Sequence, residues 1–319
     1  MAELSVIMPY VNEHPQVLFT IRSMAEELRG LDFEILAVDN SCHEFKVRGI
    51  VPDDGRRRID AAAEGNQWLK SIEYGDRASH WQAKNYAVSK ATGEVLLFVD
   101  GHVVPGRDAV RSMFEFYRRE WKRLDGTLHL PLTYKILEWR KLIYRLDVDL
   151  SLGKLHYTFD DYREPAGPYR IPYQVPCMSS CGMMMHRQIF DLIGGWPVGL
   201  GSWGGGENFT NFALAVLGKR VWIWPGKPLY HHGEKRGYPM WRNDIIFNRT
   251  LATYIVGGDD LAQRFIMNCN APGQTDLWRE RVLKKVVKSG RRHRGLIEKG
   301  QVTSIEDWVG RWMKERGDV

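Results

Sequence analysis

The chain has 319 residues, of which 44% are hydrophobic and 26% charged, with a formal net charge of +6. That is the composition of a globular protein, long enough for one large α/β domain or two modest ones. It excludes a disordered or low-complexity chain, and no run of 18 apolar residues offers a membrane span.

Strand signals come first. Ser5–Pro9, Phe33–Asp39 and Val95–Asp100 are apolar runs, the last two ending in an aspartate. Between the first two, Val17, Leu18, Ile21, Met24 and Leu28 recur at helical spacing. Before the third, a helix is expected from about Trp81 to Ala91, closed by Gly93. Strand–helix alternation with apolar strands predicts a mostly parallel sheet covered on both faces. Such sheets hold ligands at their strand ends. Residues 41–80, with "PDDGRRR" near the middle, read as an irregular excursion holding at most a short helix. Residues 134–175 are dense in Tyr, Arg and Asp, which suits a surface meeting a polar substrate. Apolar runs return at Gly182–Met185 and Val221–Pro225, and helices are expected after about 235. In the last helix Thr303 and Glu306 form a capping box, and Ile305, Trp308, Val309 and Trp312 form one apolar stripe that docks on the main body.

Four cysteines (Cys42, Cys177, Cys181, Cys269) show no standard zinc spacing and read as small thiols in a reducing cytosol. The first residues show no basic leader and no cleavage site, so a cytoplasmic protein is expected.

The chemistry concentrates in "VLLFVDGHV". Side chains two apart in an extended segment point the same way, so Asp100 and His102 can face one ion. A carboxylate with an imidazole suits Mn2+ or Zn2+ better than Ca2+. The glycine between them, Gly101, lets a ligand approach the backbone. By itself an Asp-x-His is commonly a turn Asp beside an exposed His, and context gives it weight. Asn12 and Glu13 leave the first strand, and Asp39 ends the second. Neither a G-x-G-x-x-G after the first strand nor a phosphate-binding G-x-x-x-x-G-K-[ST] is present, so a metal must neutralise any bound phosphates. Farther on, "SWGGGEN" places Glu207 at a helix N-terminus, where a carboxylate is stabilised. Then "VWIWP" leads to His231 and His232, either of which could complete an Asp-His-His set.

These segments together resemble GT-A-fold glycosyltransferases of family 2 type, above all the catalytic domains of polypeptide N-acetylgalactosaminyltransferases. The resemblance is carried, in order over residues 4–235, by "SVIMPYVNE", "ATGEVLLFVDGHV", "PYRIPYQVPCMSSCGMMMHRQIF", "WGGGEN" and "YHHG". It implies a Rossmann-like α/β GT-A fold with a mostly parallel central sheet flanked by helices. A catalytic domain would span 1–235, its nucleotide half about 1–105 and its acceptor half about 106–235. A helical extension, 236–319, would pack on it. The donor contacts it implies come from Pro9, Asn12, Glu13, Asp39, Lys84, Asn85, Asp100, Gly101 and Trp203. Asp100 and His102 would hold the metal, Mn2+ first and Mg2+ second, with His232 as third ligand and His231 as fallback. Glu207 and Asn208 would sit at the sugar and acceptor. Two features depart from the family: the extra Gly in "WGGGEN", and the segment 41–80.

The resemblance implies a glycosyltransferase using a nucleotide diphosphate sugar, UDP first. Its acceptor is open. A hydroxymethylated pyrimidine in phage-type DNA is favoured by the basic run 284–294 and by Arg56–Arg58. A protein Ser/Thr or a polysaccharide or lipid-linked acceptor is the alternative. A non-catalytic nucleotide-sugar or nucleic-acid binding module is the third reading. Anomeric outcome and oligomeric state are not legible.

Overall fold

The computed structural model describes residues 2–134, 140–162, 171–232, 237–269 and 275–315. The chain opens with β1 (Leu4–Tyr10), α1 (Gln16–Glu27), β2 (Phe33–Asp39), α2 (His43–Val47), α3 (Gly55–Glu64), β3 (Leu69–Glu73), α4 (His80–Lys90) and β4 (Val95–Phe98). Then follow β5 (Val103–Pro105), α5 (Ala109–Leu124), β6 (Gly126–His129), β7 (Leu132–Thr133), β8 (Leu142–Asp149) and β9 (Lys154–Asp161). Next come β10 (Tyr173–Val175), β11 (Met183–His186), α6 (Arg187–Leu192), α7 (Gly206–Val216), β12 (Arg220–Ile223) and β13 (Leu229–His231). Three helices close it: α8 (Arg242–Asn268), α9 (Asp276–Gly300) and α10 (Ile305–Glu315).

The main sheet has eight strands in the order β10-β12-β6-β11-β4-β1-β2-β3. β1 pairs in parallel with β2 and β4, β2 with β3, and β12 with β6. β11 runs antiparallel between β4 and β6. All seven residues of β1 are buried, as expected of a strand covered on both faces. Helix α1 turns Val17, Ile21 and Met24 inward, as their spacing predicts. Helix α4 begins at Ser79, whose hydroxyl accepts from Gln82 N at 3.3 Å.

The segment 41–80 is more regular than its sequence indicated. It holds α2, α3 and the edge strand β3. In β3 only Leu69 is fully buried, so the apolar alternation that announces a strand is faint. Residues 134–175 contribute the β8–β9 hairpin, which pairs in full register from Leu142↔Asp161 to Asp149↔Lys154. It belongs to a second sheet, ordered β5-β13-β7-β8-β9.

The C-terminal helices share one apolar core with the sheets, through Leu251, Ile255, Val286, Ile297, Ile305 and Val309. In α10 the capping side chain is Ser304, which accepts from Asp307 N at 3.0 Å, not Thr303 one residue earlier. Thr303 instead accepts from Arg311 at 3.1 Å. Trp308 meets Phe212 of α7 edge-on, so the stripe does dock on the main body. Among the described residues no helix is long and apolar enough to cross a membrane.

Candidate functional site

Strand β4 delivers Asp100 to the sheet edge, and β5 starts three residues later. Antiparallel pairing of β13 with β5 sets His231 opposite Val103. That register carries the His231 ring to Asp100, with Nε2 3.2 Å from Oδ2. The rings of His231 and His102 stand edge-to-face with centroids 4.6 Å apart. His102 Nδ1 in turn lies 3.2 Å from Glu13 Oε1. Of the two histidines expected from "YHHG", His231 therefore faces the aspartate. His232 donates its backbone N–H to His102 O at 2.9 Å.

Charge is balanced tightly here. Burial by itself would raise the Asp100 carboxyl. The hydrogen bond from His231 and the Lys84 ammonium, 4.0 Å away, outweigh it and hold Asp100 well below the usual carboxylate range. Lys84 is fully buried, its Nζ 3.4 Å from Ser180 Oγ and lying over the Trp81 and Trp196 rings. Burial raises the carboxyl of Glu13 against the pull of His102. Gly101 is required by this packing. A Cβ there would stand 2.3 Å from Glu13 Oε2, so the space expected for a ligand holds the Glu13 carboxylate.

The side chains fit a divalent cation. A cavity of about 40 Å³ is lined by Pro9, Glu13, Asp100, His102, Trp203 and His231, with His80 and Tyr238. Asp100, His231 and Cys181 bring ligand-type atoms within 4.8 Å of one another. Burial pushes the Cys181 thiol well above its ordinary value, which leaves the carboxylate and imidazole as the charge-matched pair. Glu13 Oε2, His231 Nδ1 and His80 Nε2 are buried without a hydrogen-bond partner among the described residues. Unpaired buried polar atoms are costly, and their concentration on one small cavity marks a place shaped for a ligand. Burial, with Lys84 nearby, keeps His80 neutral, well below the ordinary imidazole range.

This cavity adjoins a larger one of about 440 Å³, which shares His80, Asp100, Trp203 and His231. Hairpin β8–β9 and the residues before it supply an aromatic wall from Tyr134, Tyr144, Tyr157 and Phe159. Tyr144 and Tyr157 stack at 4.6 Å with planes 8° apart. Glu207, in the first turn of α7, accepts from Ser180 N at 2.8 Å and Ser179 Oγ at 2.8 Å. Ser180 Oγ lies 3.2 Å away, and the Tyr157 hydroxyl donates to Oε2. Burial and the Glu207 charge hold the Tyr157 hydroxyl well above the phenol range, so it remains a donor. Tyr134, Tyr144, Tyr157 and His80 are absent from the sequence-level site. For the three tyrosines the Tyr-rich composition of 134–175 is the local signal.

Several residues expected at the donor or acceptor make hydrogen bonds within the scaffold. The Asn12 amide donates to Val51 O at 2.7 Å and accepts from Asp53 N at 2.8 Å, pinning the loop before α3. Asn85 clasps the backbone of Trp196, accepting from its N–H at 2.9 Å and donating to its carbonyl at 2.7 Å. Asn208 lines the larger cavity, but its amide donates to Leu155 O of β9 at 2.8 Å. Asp39 accepts from Ser41 N at 2.9 Å and lies 3.9 Å from Arg56. Pro9 and Trp203 do line the cavities.

The basic residues divide in two. Arg56 is paired with Asp39, Asp60 and Glu73, and Arg57 and Arg58 with Asp54. Each of these arginines thus has a carboxylate neighbour, with Arg57 and Arg58 sharing Asp54. The run 284–294 lies on α9, and Lys284, Lys285, Lys288, Arg291 and Arg292 in it are exposed.

Comparison with known proteins follows the same lines. No family model matches the chain. It is 24% identical over 243 residues, 72% of this chain, to N-acetylgalactosaminyltransferase 6 of Drosophila melanogaster. It is 23% identical over 260 residues, 79% of this chain, to the inactive polypeptide N-acetylgalactosaminyltransferase-like protein 5 of Macaca fascicularis. The chain spans 34% and 55% of the lengths of these curated relatives. Among solved structures it resembles GalNAc-T7 with UDP, GalNAc and Mn2+ (TM-score 0.63, 17% identity, 92% of this chain and 57% of that one). It also resembles Staphylococcus aureus TarS with UDP (TM-score 0.51, 15% identity, 90% of this chain and 71% of that one). The fold is thus that of GT-A glycosyltransferases, with a helical C-terminal region.

Proposed function

We propose that the chain transfers a sugar from a nucleotide diphosphate donor, UDP in first place, to an acceptor hydroxyl. Asp100 and His231, with His102 beside them, would hold a divalent cation, Mn2+ before Mg2+. The observation that carries this reading is the small ligand-lined cavity opening on the larger aromatic one, with Asp100, His231 and Trp203 common to both. GalNAc-T7, a structural neighbour, was solved with UDP and Mn2+.

When bound, the cation neutralises charge on the diphosphate as the glycosidic bond breaks. The chain's own groups do the rest. Lys84 adds a buried positive charge 4.0 Å from Asp100. Trp203 offers an aromatic face to the sugar's C–H surface. Glu207 has donors on both oxygens, so it is a fixed negative charge more than a free base. Such a charge stabilises the positive carbon that develops as the leaving group departs. Pro9 and Glu13 shape the donor end.

In this reading residues 1–235 form the catalytic body and 236–319 a helical extension, in a cytoplasmic protein. The acceptor hydroxyl is assigned to a hydroxymethylated pyrimidine in DNA, flipped out to reach the aromatic wall. A protein hydroxyl is the second reading, favoured by the relatives' polypeptide-transferase names. Because one relative is named inactive, catalysis itself needs a direct test. A panel of nucleotide sugars is offered with Mn2+, and nucleotide diphosphate release is measured with and without hydroxymethylated DNA. Release is expected, with a loss of about a thousandfold in Asp100→Ala. Equal release from Asp100→Ala and wild type would refute the assignment.

A further inference from the structure

Helix α9 carries six cations that the site does not use. Arg281, Lys284, Lys285, Lys288, Arg291 and Arg292 are all exposed. Steps of three and four residues keep them on one face of the helix. Their neighbours turn inward: His293 Nε2 lies 2.9 Å from Ile193 O, and Arg294 donates to Tyr254 O at 2.7 Å. The ion pairs of this helix, Arg279 with Asp276 and Arg294 with Glu298, stand beyond the two ends of the stripe. Among the described residues none of the six forms an ion pair, in contrast to Arg56–Arg58. Beside them a groove of about 470 Å³ runs between α8 and α9, lined by Leu283, Lys284, Val287, Lys288 and Arg291, with Asp259 its one acid.

Unpaired like charges at helical spacing repel one another, so a stripe of six destabilises the isolated helix. A polyanion would relieve that repulsion. At about 1.5 Å per residue the stripe gathers six charges within about 16 Å of helix, at uneven steps of about 1.5 and 4.5 Å. One strand of duplex DNA presents a phosphate every 3.4 Å or so along the axis. An anionic membrane fits less well. No large apolar side chain between 281 and 292 is exposed, so the face has nothing to insert into lipid.

We propose that this face of α9 is a docking surface for the phosphate backbone of double-stranded DNA. The same helix is tied to the catalytic body, because His293 also reaches Gly195 O at 3.1 Å, next to the Trp196 backbone that Asn85 clasps. A duplex held on α9 is therefore held in fixed relation to the donor half. The use of this surface rests on the transferase reading; binding itself does not.

The test is fluorescence anisotropy of a labelled duplex with the full chain, from about 50 to 200 mM salt. The plot of log affinity against log salt is expected to be steep. In Lys284→Gln/Lys288→Gln/Arg291→Gln the slope should fall by about 2.7, at about 0.9 per charge removed. Arg57→Gln, whose charge is already paired, should leave it unchanged. A thermal melt confirms that the triple variant folds. The same slope in the triple variant and wild type would overturn the proposal. So would release of the duplex by phosphatidylserine vesicles at equal charge concentration. Nucleotide diphosphate release by wild type, measured with and without acceptor DNA, separates the two readings: its absence under both conditions would sink the transferase and leave the salt slope standing.

Discussion

Glu34 and Glu13 are equally shielded from solvent, 4% and 3% exposed, and stand at opposite ends of the same sheet, Glu13 the more deeply enclosed. Their states differ. Burial would raise both. At Glu34 the Lys70 ammonium, the hydroxyls of Ser5 and Thr92 and the Thr92 N–H overcome it, taking the carboxyl down to about 2. At Glu13 burial prevails, and Oε2 has no hydrogen-bond partner among the described residues. The Glu34 carboxylate, matched by scaffold donors on both oxygens, is structural. A carboxylate left partly unmatched, beside histidines and an aspartate, belongs to a binding site. The same distinction separates Asn12, Asn85 and Asn208, whose amides are committed to backbone, from His80 and His231, each with an unmatched ring nitrogen.

The sharpest way to break this contrast is Gly101→Ala. The new Cβ would collide with Glu13 Oε2 and displace the group that faces His102. Mn2+ affinity, followed by calorimetric titration, should fall by about 10- to 100-fold, as when support of a metal ligand is lost. Unchanged affinity would place Glu13 outside the site. Asn85→Ala should instead act on stability. It leaves the Trp196 N–H and carbonyl without their partner, costing about 1–3 kcal/mol in a denaturant melt. Smaller still is the effect of Glu34→Gln. Because the folded carboxyl lies at about 2, below its ordinary 4.5, ionisation favours the fold above pH 4.5. That contribution is lost as pH falls from 4.5 to about 2. The wild type should therefore exceed the variant by about 1 kcal/mol at neutral pH, with the gap closing across that window.

What the sequence made legible follows from the range of the interactions. The strand runs 33–39 and 95–100 and the carboxylates at their ends are local signals, and β2 and β4 stand where those runs lie. Asp100 and the "YHHG" histidines were found by type and order, but choosing His231 needed the register His231↔Val103. Asn12 and Asn85 were expected at the donor because of the family resemblance, and their side chains here bond to backbone groups. Their actual partners lie 39 and 111 residues away, where no local pattern reaches. Tyr157 escaped notice for the same reason: its partner Glu207 is 50 residues distant. Arg56–Arg58 differ from the α9 cations already in sequence, since Asp54 and Asp60 stand at helical spacing from them, and the fold adds Asp39 and Glu73 to Arg56.

The account stands on Asp100 sharing an ion with His231. The direct measurement is Mn2+-dependent nucleotide diphosphate release from the preferred sugar donor, compared among wild type, His231→Ala and His232→Ala. We expect release to disappear with His231→Ala and with chelation of the metal, and to persist with His232→Ala. Release that survives His231→Ala but is abolished by His232→Ala, or that ignores the chelator, would contradict it.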